Sequence, residues 1–424
     1  MHPHPISPSA HRSTSVDEHA ALVRSLLEPA LERARTGRET VPLTAGDALG
    51  RVTAVAVHSP VDLPLFRNSQ MDGFAVVAAD LAELPATLPI VGEIAAAPGT
   101  PDALLAGTTV RIMTGAVVPE GADAVVPVED TTVTATTDPA TGAVTETVTI
   151  TRGRAIGEYV RDRGSDVRAG TQLLPAGIRL AARHLAVLTA AGLDRVEVRP
   201  RVRVAVLTTG SELVTRRDDV FVPRMGEIFD ANSIAIQAAV RECGAVTAFA
   251  GLVEDNNAEG MIGFLDRATA EADVVITSGG ISKGRHEVVR ETLAPFDARI
   301  GHIAMQPGGP QTTAVYRAVP VISFPGNPVS TQISFEVFVA PLLREVAVLP
   351  AASITTRPLA ADLVSVPGKR QFLRGRIEDN GSVSLVSGPG SHLIAGLAQA
   401  DVLVDVPTDT LTMNEGDLVE TWLL

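Results

Sequence analysis

The spacing of apolar residues divides the chain into regions of different secondary structure. Residues 16–36 carry apolar side chains at helical spacing, which predicts an amphipathic helix, and 41–50 resembles a second, short helix that closes at Gly50. From 51 to about 159 the pattern changes to short alternating runs broken by Pro and Gly, which predicts a compact β-rich domain. The Thr-rich stretch 131–151 within it predicts a β-hairpin.

Beyond Pro200 apolar strands alternate with helices, a pattern typical of a parallel, doubly wound sheet. After Pro350 short strands return, and a small β-barrel is the natural expectation. The predicted strands of the two regions are 202–207, 246–253, 273–277, 319–324, 372–377, 383–386, 402–406 and 418–423; the predicted helices are 181–192, 232–243, 258–270 and 329–346.

Composition and charge narrow the class of protein. Of 424 residues, 45% are hydrophobic and 20% charged, which fits a soluble protein of about three domains and not wholesale disorder. The net charge of −14 disfavours nucleic acid and anionic membranes as partners, so an anionic substrate needs a locally basic pocket. Residues 1–15 lack the apolar core of a signal peptide, and no apolar run is long enough for a membrane span. We therefore expect a cytoplasmic protein with a flexible N-terminal extension.

The sequence argues against several common kinds of functional site. Cys243 is the only cysteine, which excludes an intramolecular disulfide framework and a cysteine-cluster zinc site. The early histidines have no fixed ligand spacing and are interpreted as a solvated leader; they are His2, His4, His11 and His19. No G-x-G-x-x-G fingerprint follows a strand, and no Walker A motif occurs in the sequence. Lysine occurs only at 283 and 369.

Three glycine-marked turns follow three buried strands, at 208–212, 277–284 and 323–328. In a doubly wound sheet, the carboxyl ends of the strands form the crevice where ligands bind. Glycines let the backbone approach a phosphate closely, and free N–H groups at the start of the next helix hold its charge. The three turns together predict an anion pocket.

Carboxylates accompany these turns at Glu212, Asp230 and Glu287. Asp230 by itself is better explained as a helix N-cap, and Glu287 as a first-turn acid favoured by the helix dipole. Acids beside a phosphate pocket repel the ligand unless a cation or a polar ring intervenes, and Mg²⁺ bridging carboxylate and phosphate oxygens resolves that conflict.

Two further motifs, 68–75 and 111–116, place small polar residues against Gly in the β-rich part, where turn formation is the ordinary interpretation. A basic stretch follows around Asp166, for which a solvated charged face is the ordinary interpretation. Its arginines are Arg152, Arg154, Arg161, Arg163 and Arg168.

Seven motifs, taken together, resemble those of the molybdopterin molybdenumtransferases, the family that includes the E domain of gephyrin. They occur in the family's order, and the resemblance covers nearly the whole chain from about residue 16. The motifs are 68–76, 112–116, 119–126, 209–213, 228–233, 278–284 and 324–330.

The resemblance implies an α/β multidomain homodimer. Its expected parts are an N-terminal extension (1–15), a discontinuous helical linker domain (16–50 with 160–199), an inserted β-rich domain (51–159), a doubly wound molybdopterin-binding domain (200–346) and a C-terminal β-barrel domain (347–424). The implied reaction inserts molybdate into the dithiolene of adenylylated molybdopterin and releases AMP, assisted by Mg²⁺. The active cleft is expected between the α/β domain of one subunit and the β-rich domain of its partner. A molybdopterin adenylyltransferase is the implied upstream partner.

The resemblance also assigns roles to individual residues. The implied catalytic residues are Asp72, Thr114, Asp166, Glu212, Asp230 and Glu287, of which Glu212 and Asp230 are the implied metal ligands. The implied molybdopterin-binding residues are Gly210, Ser278, Gly279, Gly280, Ser282, Lys283, Pro325, Gly326, Asn327 and Pro328.

The chain departs from the family's pattern at three positions. Many members have Asp where Glu287 stands, and many have Lys where this chain has Gln306 and Gly309. Lys283, Arg285 or His302 is a candidate substitute for the lost charge. Two alternatives to the enzyme stay open: a weakened paralogue that acts as a molybdopterin-binding or scaffold protein, and the related molybdopterin adenylyltransferase.

Overall fold

The computed structural model describes residues 14–215, 222–281 and 287–424. The extension predicted for 1–15 lies outside these ranges except for Thr14 and Ser15. No helix in the described ranges is both long and apolar enough to cross a membrane. The helices are α1 (Val16–Thr36), α2 (Ala182–Ala190), α3 (Ala231–Glu242), α4 (Ala258–Glu271), α5 (Val288–Leu293), α6 (Pro328–Phe338), α7 (Ala340–Val346) and α8 (Ile394–Ala398), with 3₁₀ turns at Ala78–Leu81 and Val128–Asp130.

The first helix, α1, begins and ends where the apolar spacing predicts. The Ser15 hydroxyl accepts a hydrogen bond from the Glu18 backbone N–H, and the Glu18 carboxylate accepts one from the Ser15 N–H, which fixes the start of the helix. The apolar face, with Val23, Leu27 and Leu31, is buried against α6 and α7. This helix therefore shares a core with the α/β region that follows much later in the chain.

The region before residue 200 is rich in short strands, as predicted. The sheet in the order β7-β4-β6-β5-β9-β8 is the largest there, and β8 and β9 form the predicted hairpin. The strands are β1 (Glu39–Pro42), β2 (Val57–His58), β3 (Asn68–Ser69), β4 (Gly73–Val76), β5 (Ala86–Ile94), β6 (Thr109–Ile112), β7 (Ala124–Pro127), β8 (Thr131–Thr137), β9 (Val144–Ile150), β10 (Val160–Arg161), β11 (Gln172–Leu174) and β12 (Arg195–Val198).

The short helix predicted at 41–50 is wrong. Its first residues belong to β1, which pairs antiparallel with β12. The remainder forms turns, in which the Thr44 hydroxyl donates to the Asp47 carboxylate at 2.6 Å and Gly50 adopts a φ of 73°. Because β12 lies far along the chain, no local pattern reveals this pairing.

The α/β region contains a mixed six-stranded sheet in the order β16-β13-β17-β21-β20-β18. β16, β13, β17 and β21 are parallel, as predicted, but β20 runs antiparallel to both of its neighbours. The wholly parallel sheet expected from sequence is therefore corrected to a mixed one. The strands are β13 (Arg203–Thr209), β14 (Leu213–Val214), β15 (Ile228–Phe229), β16 (Val246–Val253), β17 (Val274–Ser278), β18 (Arg299–His302), β19 (Met305–Gln306), β20 (Pro310–Tyr316) and β21 (Val319–Phe324).

Helices cover both faces of this sheet. Alternate side chains of a strand point to opposite faces. On β13, Val204 and Val206 join the core that contains α1, α3, α6 and α7, whereas Ala205 and Leu207 join the core that contains α4 and α5. The sheet is therefore doubly wound, and the ends of β13, β17, β21 and β18 meet at one edge.

The single long helix predicted at 329–346 is two helices. α6 ends at Phe338 and α7 begins at Ala340, with Val339 between them at φ −113°. Pro341 has no N–H and its ring crowds the preceding turn, which favours a break at this point, although α1 continues through Pro29. Pro341 is accommodated instead in the first turn of α7.

The C-terminal strands form an open sheet in the order β19-β24-β26-β28-β22, with β25 paired to β24. This strand pairing does not show the predicted barrel. The predicted domain boundaries stay predictions. The structure establishes a multidomain α/β fold with mixed sheets. The strands are β22 (Ile354–Pro358), β23 (Leu363–Val364), β24 (Arg370–Ile377), β25 (Val383–Leu385), β26 (Val402–Val406), β27 (Thr412–Met413) and β28 (Leu418–Leu423).

Candidate functional site

A cavity of about 740 Å³ opens at the edge of the sheet where β13, β17 and β21 end. Its lining includes residues from all three glycine-marked turns, from the segment 302–310 and from the C-terminal region. Ligands of doubly wound sheets bind at this edge. The structure thus brings together three turns that are widely separated in sequence.

Most predicted site residues line this cavity. They are Gly210, Glu212, Asp230, Ser278, Gly279, Gly280, Glu287, Pro325, Gly326, Asn327 and Pro328. Ser282, Lys283 and Arg285 lie outside the described residues. Asp72, Thr114 and Asp166 are not among the lining residues, so one protomer does not bring them to the pocket formed by its own α/β region.

Asp230 both caps α3 and lines the cavity. Its Oδ1 accepts a hydrogen bond from the Ser233 N–H at 3.1 Å, which caps α3 as expected of an Asp at this position. Its Oδ2 accepts from the Thr208 hydroxyl at 2.5 Å. The pairing of β14 with β15 brings Glu212 nearby, because the Ile228 N–H donates to the Glu212 carbonyl at 2.8 Å. Two acids therefore lie at the end of β13.

Asp255 is a third acid at this end of the sheet, and it was not expected from the sequence motifs. The Ser211 N–H donates to the Asp255 carboxylate at 3.2 Å, and the Asp255 N–H donates to the Ser211 hydroxyl at 3.3 Å. This reciprocal pair joins the turn after β13 to the turn after β16, and Asp255 lines the cavity. Asp255 follows the end of β16 by two residues, much as Glu212 follows the end of β13 by three. This similar spacing is the signal that could have identified it.

The second and third turns pack backbone against backbone. Gly279 adopts a φ of 96°, and its N–H donates to the Phe324 carbonyl at 3.1 Å. A Cβ on Gly279 would overlap the Thr209 carbonyl, and one on Gly326 would lie 3.3 Å from the Gly279 Cα. Glycine is therefore required here for close approach as well as for its dihedral angle.

A buried polar network fixes the same two turns relative to the helices behind them. The Asn232 amide donates to the Ser278 hydroxyl at 2.8 Å and to the Gly326 carbonyl at 2.7 Å. The Ser278 and Thr331 hydroxyls lie 3.0 Å apart, and Thr331 donates to the Pro325 carbonyl at 2.6 Å. Buried hydrogen bonds of this kind are costly to leave unmade, so they hold the turns in one arrangement.

Basic side chains line the part of the cavity that lies towards β18, the strand at the far side of the sheet from β16. His302 ends β18, and the parallel pairing of β19 with β24 places Lys369, the residue before β24, beside the segment 302–309. His392 also lines the cavity. Of these, His302 was expected from sequence, whereas Lys369 and His392 were not. Lys369 is one of only two lysines in the chain, which is the signal that could have identified it.

The two positions where many relatives of the resembled family have Lys are occupied differently. Gln306 is held by the Gln371 amide, which donates to its Oε1 at 2.6 Å. A Cβ on Gly309 would lie 2.6 Å from His302 Nε2, so the imidazole fills the space in which a side chain at 309 would begin. Among the described residues, the basic side chains of this region are therefore His302, Lys369 and His392.

Charge is thus ordered along the edge of the sheet. Glu212, Asp230 and Asp255 lie at the ends of β13 and β16, and the glycine turns follow β17 and β21, with Glu287 beyond the turn after β17. His302 ends β18, and Lys369 and His392 reach the cavity from the C-terminal region. Four strand spacings separate β13 from β18, about 19 Å at ~4.8 Å each. An elongated ligand with a metal-binding phosphate and a separate oxyanion matches that order.

The described residues contain no group of three or more His, Cys, Asp or Glu that could hold a metal ion by itself. Glu212 and Asp230, the predicted metal ligands, are therefore not part of a complete protein cage within those ranges. Mg²⁺ is commonly held by one or two carboxylates together with substrate phosphate oxygens. Glu212 and Asp230 therefore fit a Mg²⁺ ion that is also coordinated by phosphate oxygens of the substrate, and not one that is held by protein side chains alone.

Asp72 and Thr114 form an exposed pair in the β-rich region. The Asp72 Oδ1 accepts from the Thr114 N–H at 2.7 Å and from its hydroxyl at 2.9 Å. The backbone N–H first, and then the hydroxyl, lower the pKa of Asp72 below its ordinary value, so the carboxylate stays ionised. Asp166 is also exposed.

Comparison with known proteins identifies the family. The family description "MoeA N-terminal region (domain I and II)" matches residues 14–192, "Probable molybdopterin binding domain" matches 205–345, and "MoeA C-terminal region (domain IV)" matches 356–424. A "Molybdopterin molybdenumtransferase 2" of Mycobacterium tuberculosis (strain ATCC 25618 / H37Rv) is 38% identical over 424 residues, covering 96% of this chain and 99% of the relative. The chain belongs to the molybdopterin molybdenumtransferase family.

Further matches agree. A "Molybdopterin molybdenumtransferase" of a Nostoc species is 34% identical, covering 97% of this chain and 93% of the relative. The crystal structure of a molybdopterin biosynthesis MoeA protein from Pyrococcus horikosii is 30% identical with a TM-score of 0.71, covering 94% of this chain and 98% of that one. The resemblance expected from sequence is confirmed, and with it the enzyme class, a molybdopterin molybdenumtransferase of molybdenum cofactor biosynthesis. The three glycine-marked turns lie within the region matched to the molybdopterin binding domain.

Proposed function

We propose that this chain inserts molybdate into the dithiolene of adenylylated molybdopterin and releases AMP. The observation that carries this proposal is the order of charge in one cavity of about 740 Å³: acids, then glycine turns, then basic side chains. A nucleotide-linked pterin needs backbone N–H groups for its phosphates, and molybdate needs cations. Both are present at the same edge of the sheet, in a chain whose net charge is −14.

The geometry supports one orientation of the substrates. The tight turns at Gly279 and Gly326 bring backbone close enough to accept the phosphates. Glu212 and Asp230 face the pterin and the metal end, since carboxylates hold amino groups and cations. Lys369 and His302 attract the molybdate at the far end of the cavity.

Glu212 and Asp230 are the residues that would hold Mg²⁺, together with phosphate oxygens of the substrate. When bound, Mg²⁺ neutralises phosphate charge and makes AMP a better leaving group. The protein's own contribution is orientation. Asp230 is held on both oxygens by the Ser233 N–H and the Thr208 hydroxyl, so its carboxylate is fixed before the substrate arrives.

The test is AMP release from adenylylated molybdopterin in a reconstituted assay, with molybdate varied. We expect Lys369→Ala to raise the KM for molybdate about tenfold, consistent with the loss of one charge-assisted contact, and Lys369→Arg to recover most of it. Normal pterin binding without AMP release would favour the binding or scaffold paralogue. ATP consumption without molybdate would instead favour the adenylyltransferase.

The proposal includes a homodimer whose cleft is shared between subunits. It is supported by Asp72 and Thr114, an exposed, hydrogen-bonded pair with an ionised Asp72 carboxylate, which lies outside the cavity of its own protomer. Mixing Asp72→Ala protein with Asp230→Asn protein, each of which has reduced activity alone, provides the test. A shared cleft leaves one of the two sites of each mixed dimer intact, so activity returns on mixing; a cleft within one subunit gives no recovery. A molybdopterin adenylyltransferase is the proposed upstream partner, because the substrate must arrive adenylylated.

A further inference from the structure

A second basic cluster lies at the opposite edge of the central sheet from the cavity. It is formed by Arg51, Arg179 and Arg201. Arg201 lies two residues before β13, whereas Gly210 follows that strand, and seven strand residues separate its two ends by about 23 Å. The cluster is therefore separate from the cavity that holds the glycine turns.

The three arginines lie together around Gly50. A cleft at this place is lined by Gly50, Arg51 and Arg201, together with Arg199 and an apolar wall from the end of α7. The Arg179 guanidinium lies across Gly50, since a Cβ at Gly50 would be 3.0 Å from Arg179 Nη2. The Arg51 Nη2 donates to the Arg199 carbonyl at 2.8 Å, which keeps the Arg51 side chain, only 9% exposed, at the cleft.

The positive charge of this cluster is only partly balanced. Glu39 accepts a hydrogen bond from Arg51 and pairs with its charge. Within residues 14–215, 222–281 and 287–424, Arg179 and Arg201 form no ion pair or side-chain hydrogen bond, and the Nε atoms of Arg51 and Arg179 are buried without a hydrogen-bond partner. Three guanidinium groups and one carboxylate leave two positive charges, in a chain whose net charge is −14.

Close like charges disfavour the folded state unless an anion balances them. Partial burial, and then the charge of Arg51, lower the pKa of the Arg201 guanidinium; Glu39 opposes this effect and Arg179 adds to it. Arginine forks match the oxygen atoms of a phosphate group and can bind two of them at once. An oxyanion with two negative charges therefore fits both the charge and the donor geometry of the cluster.

We propose that Arg51, Arg179 and Arg201 form a second anion site, which binds a phosphate dianion, either free or as the monoester of a nucleotide. The cleft holds about 20 Å³, enough for one oxygen-sized group. One phosphate oxygen enters it, and the rest of the group lies outside against Arg201, whose side chain is exposed. Because the cleft is lined by residues 50–52, 199–202 and the end of α7, the anion stabilises the contact between these segments.

The test is calorimetric binding of inorganic phosphate to variants of the full-length protein at fixed ionic strength. Arg179→Gln and Arg201→Gln each remove one positive charge. Glu39→Gln removes the opposing charge, while its amide oxygen can still accept from Arg51. Arg195→Gln is the matched control, because Arg195 is exposed and pairs with Pro42 at the other end of the β1–β12 ladder from Glu39.

We expect the phosphate Kd to rise about tenfold in Arg179→Gln and in Arg201→Gln, as for the loss of one charge-assisted hydrogen bond. It should fall about threefold in Glu39→Gln, because a half-exposed competing charge is removed, and it should not change in Arg195→Gln. Each variant is also measured in Lys369→Ala protein, so that phosphate at the basic end of the cavity is counted separately. AMP, with adenosine as its control, identifies the source: tighter binding of AMP than of phosphate indicates a nucleotide, and equal binding indicates free phosphate.

Three results overturn the inference. The first is an unchanged phosphate Kd in folded Arg179→Gln and Arg201→Gln, and the second is weaker phosphate binding in Glu39→Gln. The third is a dimer that dissociates more readily in Arg201→Gln without any phosphate binding, which would show that an acid of a second copy balances the cluster. The exposed Arg201 keeps the test valid if Arg179→Gln does not fold.

This inference is independent of the proposed function. We expect Arg201→Gln to release AMP from adenylylated molybdopterin with kcat/KM within about twofold of the wild type, because β13 separates Arg201 from the cavity by about 23 Å. A wild-type protein that releases no AMP contradicts the proposed function and leaves the phosphate measurements intact. Variants that bind phosphate like the wild type contradict only the second anion site.

Discussion

Asp230 offers a direct test of whether its carboxylate only caps a helix or also acts in the reaction. An Asn at 230 can keep both contacts of the native side chain. Its amide oxygen can accept from the Ser233 N–H, and its NH₂ can donate to the Thr208 hydroxyl, which accepts as readily as it donates. Asp230→Asn therefore removes the negative charge while leaving the local hydrogen bonding in place.

The two roles predict different magnitudes. Asn and Asp cap helices about equally well, so Asp230→Asn changes the free energy of unfolding by only a few tenths of a kcal/mol, whereas Asp230→Ala costs ~1 kcal/mol. A charged partner of the substrate or of Mg²⁺ is worth about 1.5–3 kcal/mol. We therefore expect Asp230→Asn to lower kcat/KM about tenfold to a hundredfold.

The assay combines urea unfolding with AMP release from adenylylated molybdopterin. Ser233→Ala serves as the control, because it keeps the backbone N–H that Asp230 accepts from and leaves both carboxylate contacts intact. If Asp230→Asn retains wild-type kcat/KM while Asp230→Ala loses stability, the carboxylate is a cap and nothing more. The proposed role of Asp230 at the metal end is then wrong.

Three more outcomes can be tested at single positions. The expectation that His19 belongs to a solvated leader is wrong: it lies in α1 and is 3% exposed. Burial lowers its pKa from 6.5 to about 4, so between these values the unfolded state binds the proton that the folded state excludes. The free energy of unfolding should fall by about 3 kcal/mol as pH drops from 7 to 4, and His19→Leu should remove that part of the fall in urea titrations while His58→Gln at an exposed position does not. Gly309→Ala should displace the His302 imidazole and weaken molybdate binding in calorimetry with little change in Tm, because the displaced group is an exposed side chain; a lower Tm with unchanged binding contradicts this. Gly279→Ala should cost more than ~1 kcal/mol in urea unfolding and lower pterin affinity, since φ is 96° and the new Cβ meets the Thr209 carbonyl; wild-type stability would contradict the close packing of the turns.

Local signals in the sequence predict the elements that depend on local chemistry. The bounds of α1 follow from apolar spacing and from Ser15 with Glu18, which form a capping box within four residues. The strand β13 follows from an almost wholly apolar run at 202–207, which a sheet covered on both faces buries. Turns after such strands lie at one edge by topology, so the sequence alone assigns the three glycine motifs to one pocket.

Features that depend on distant partners were not predictable. β1 forms a strand because β12, far along the chain, pairs with it. β20 is different: a two-residue turn at Arg317 and Ala318 joins it to β21 as a hairpin, and these residue types do not signal the positive φ angles of 45° and 72° that they adopt there. Lys369 reaches the cavity only through the pairing of β19 with β24.

The order of charge along the sheet edge explains how a protein of net charge −14 can hold two anions at once. If the basic groups lay among the acids at the end of β13, Lys369 would pair with Glu212 or Asp230 and attract neither substrate. β13 and β18 lie about 19 Å apart, which exceeds the Debye length of ~8 Å at physiological ionic strength, so exposed charges at the two strands are largely screened from each other. In the proposed site the acids can then bind a cation and a ring, while Lys369 and His302 attract an oxyanion. We expect added salt to weaken molybdate binding at this end, because His302 is exposed and Lys369 is half-buried.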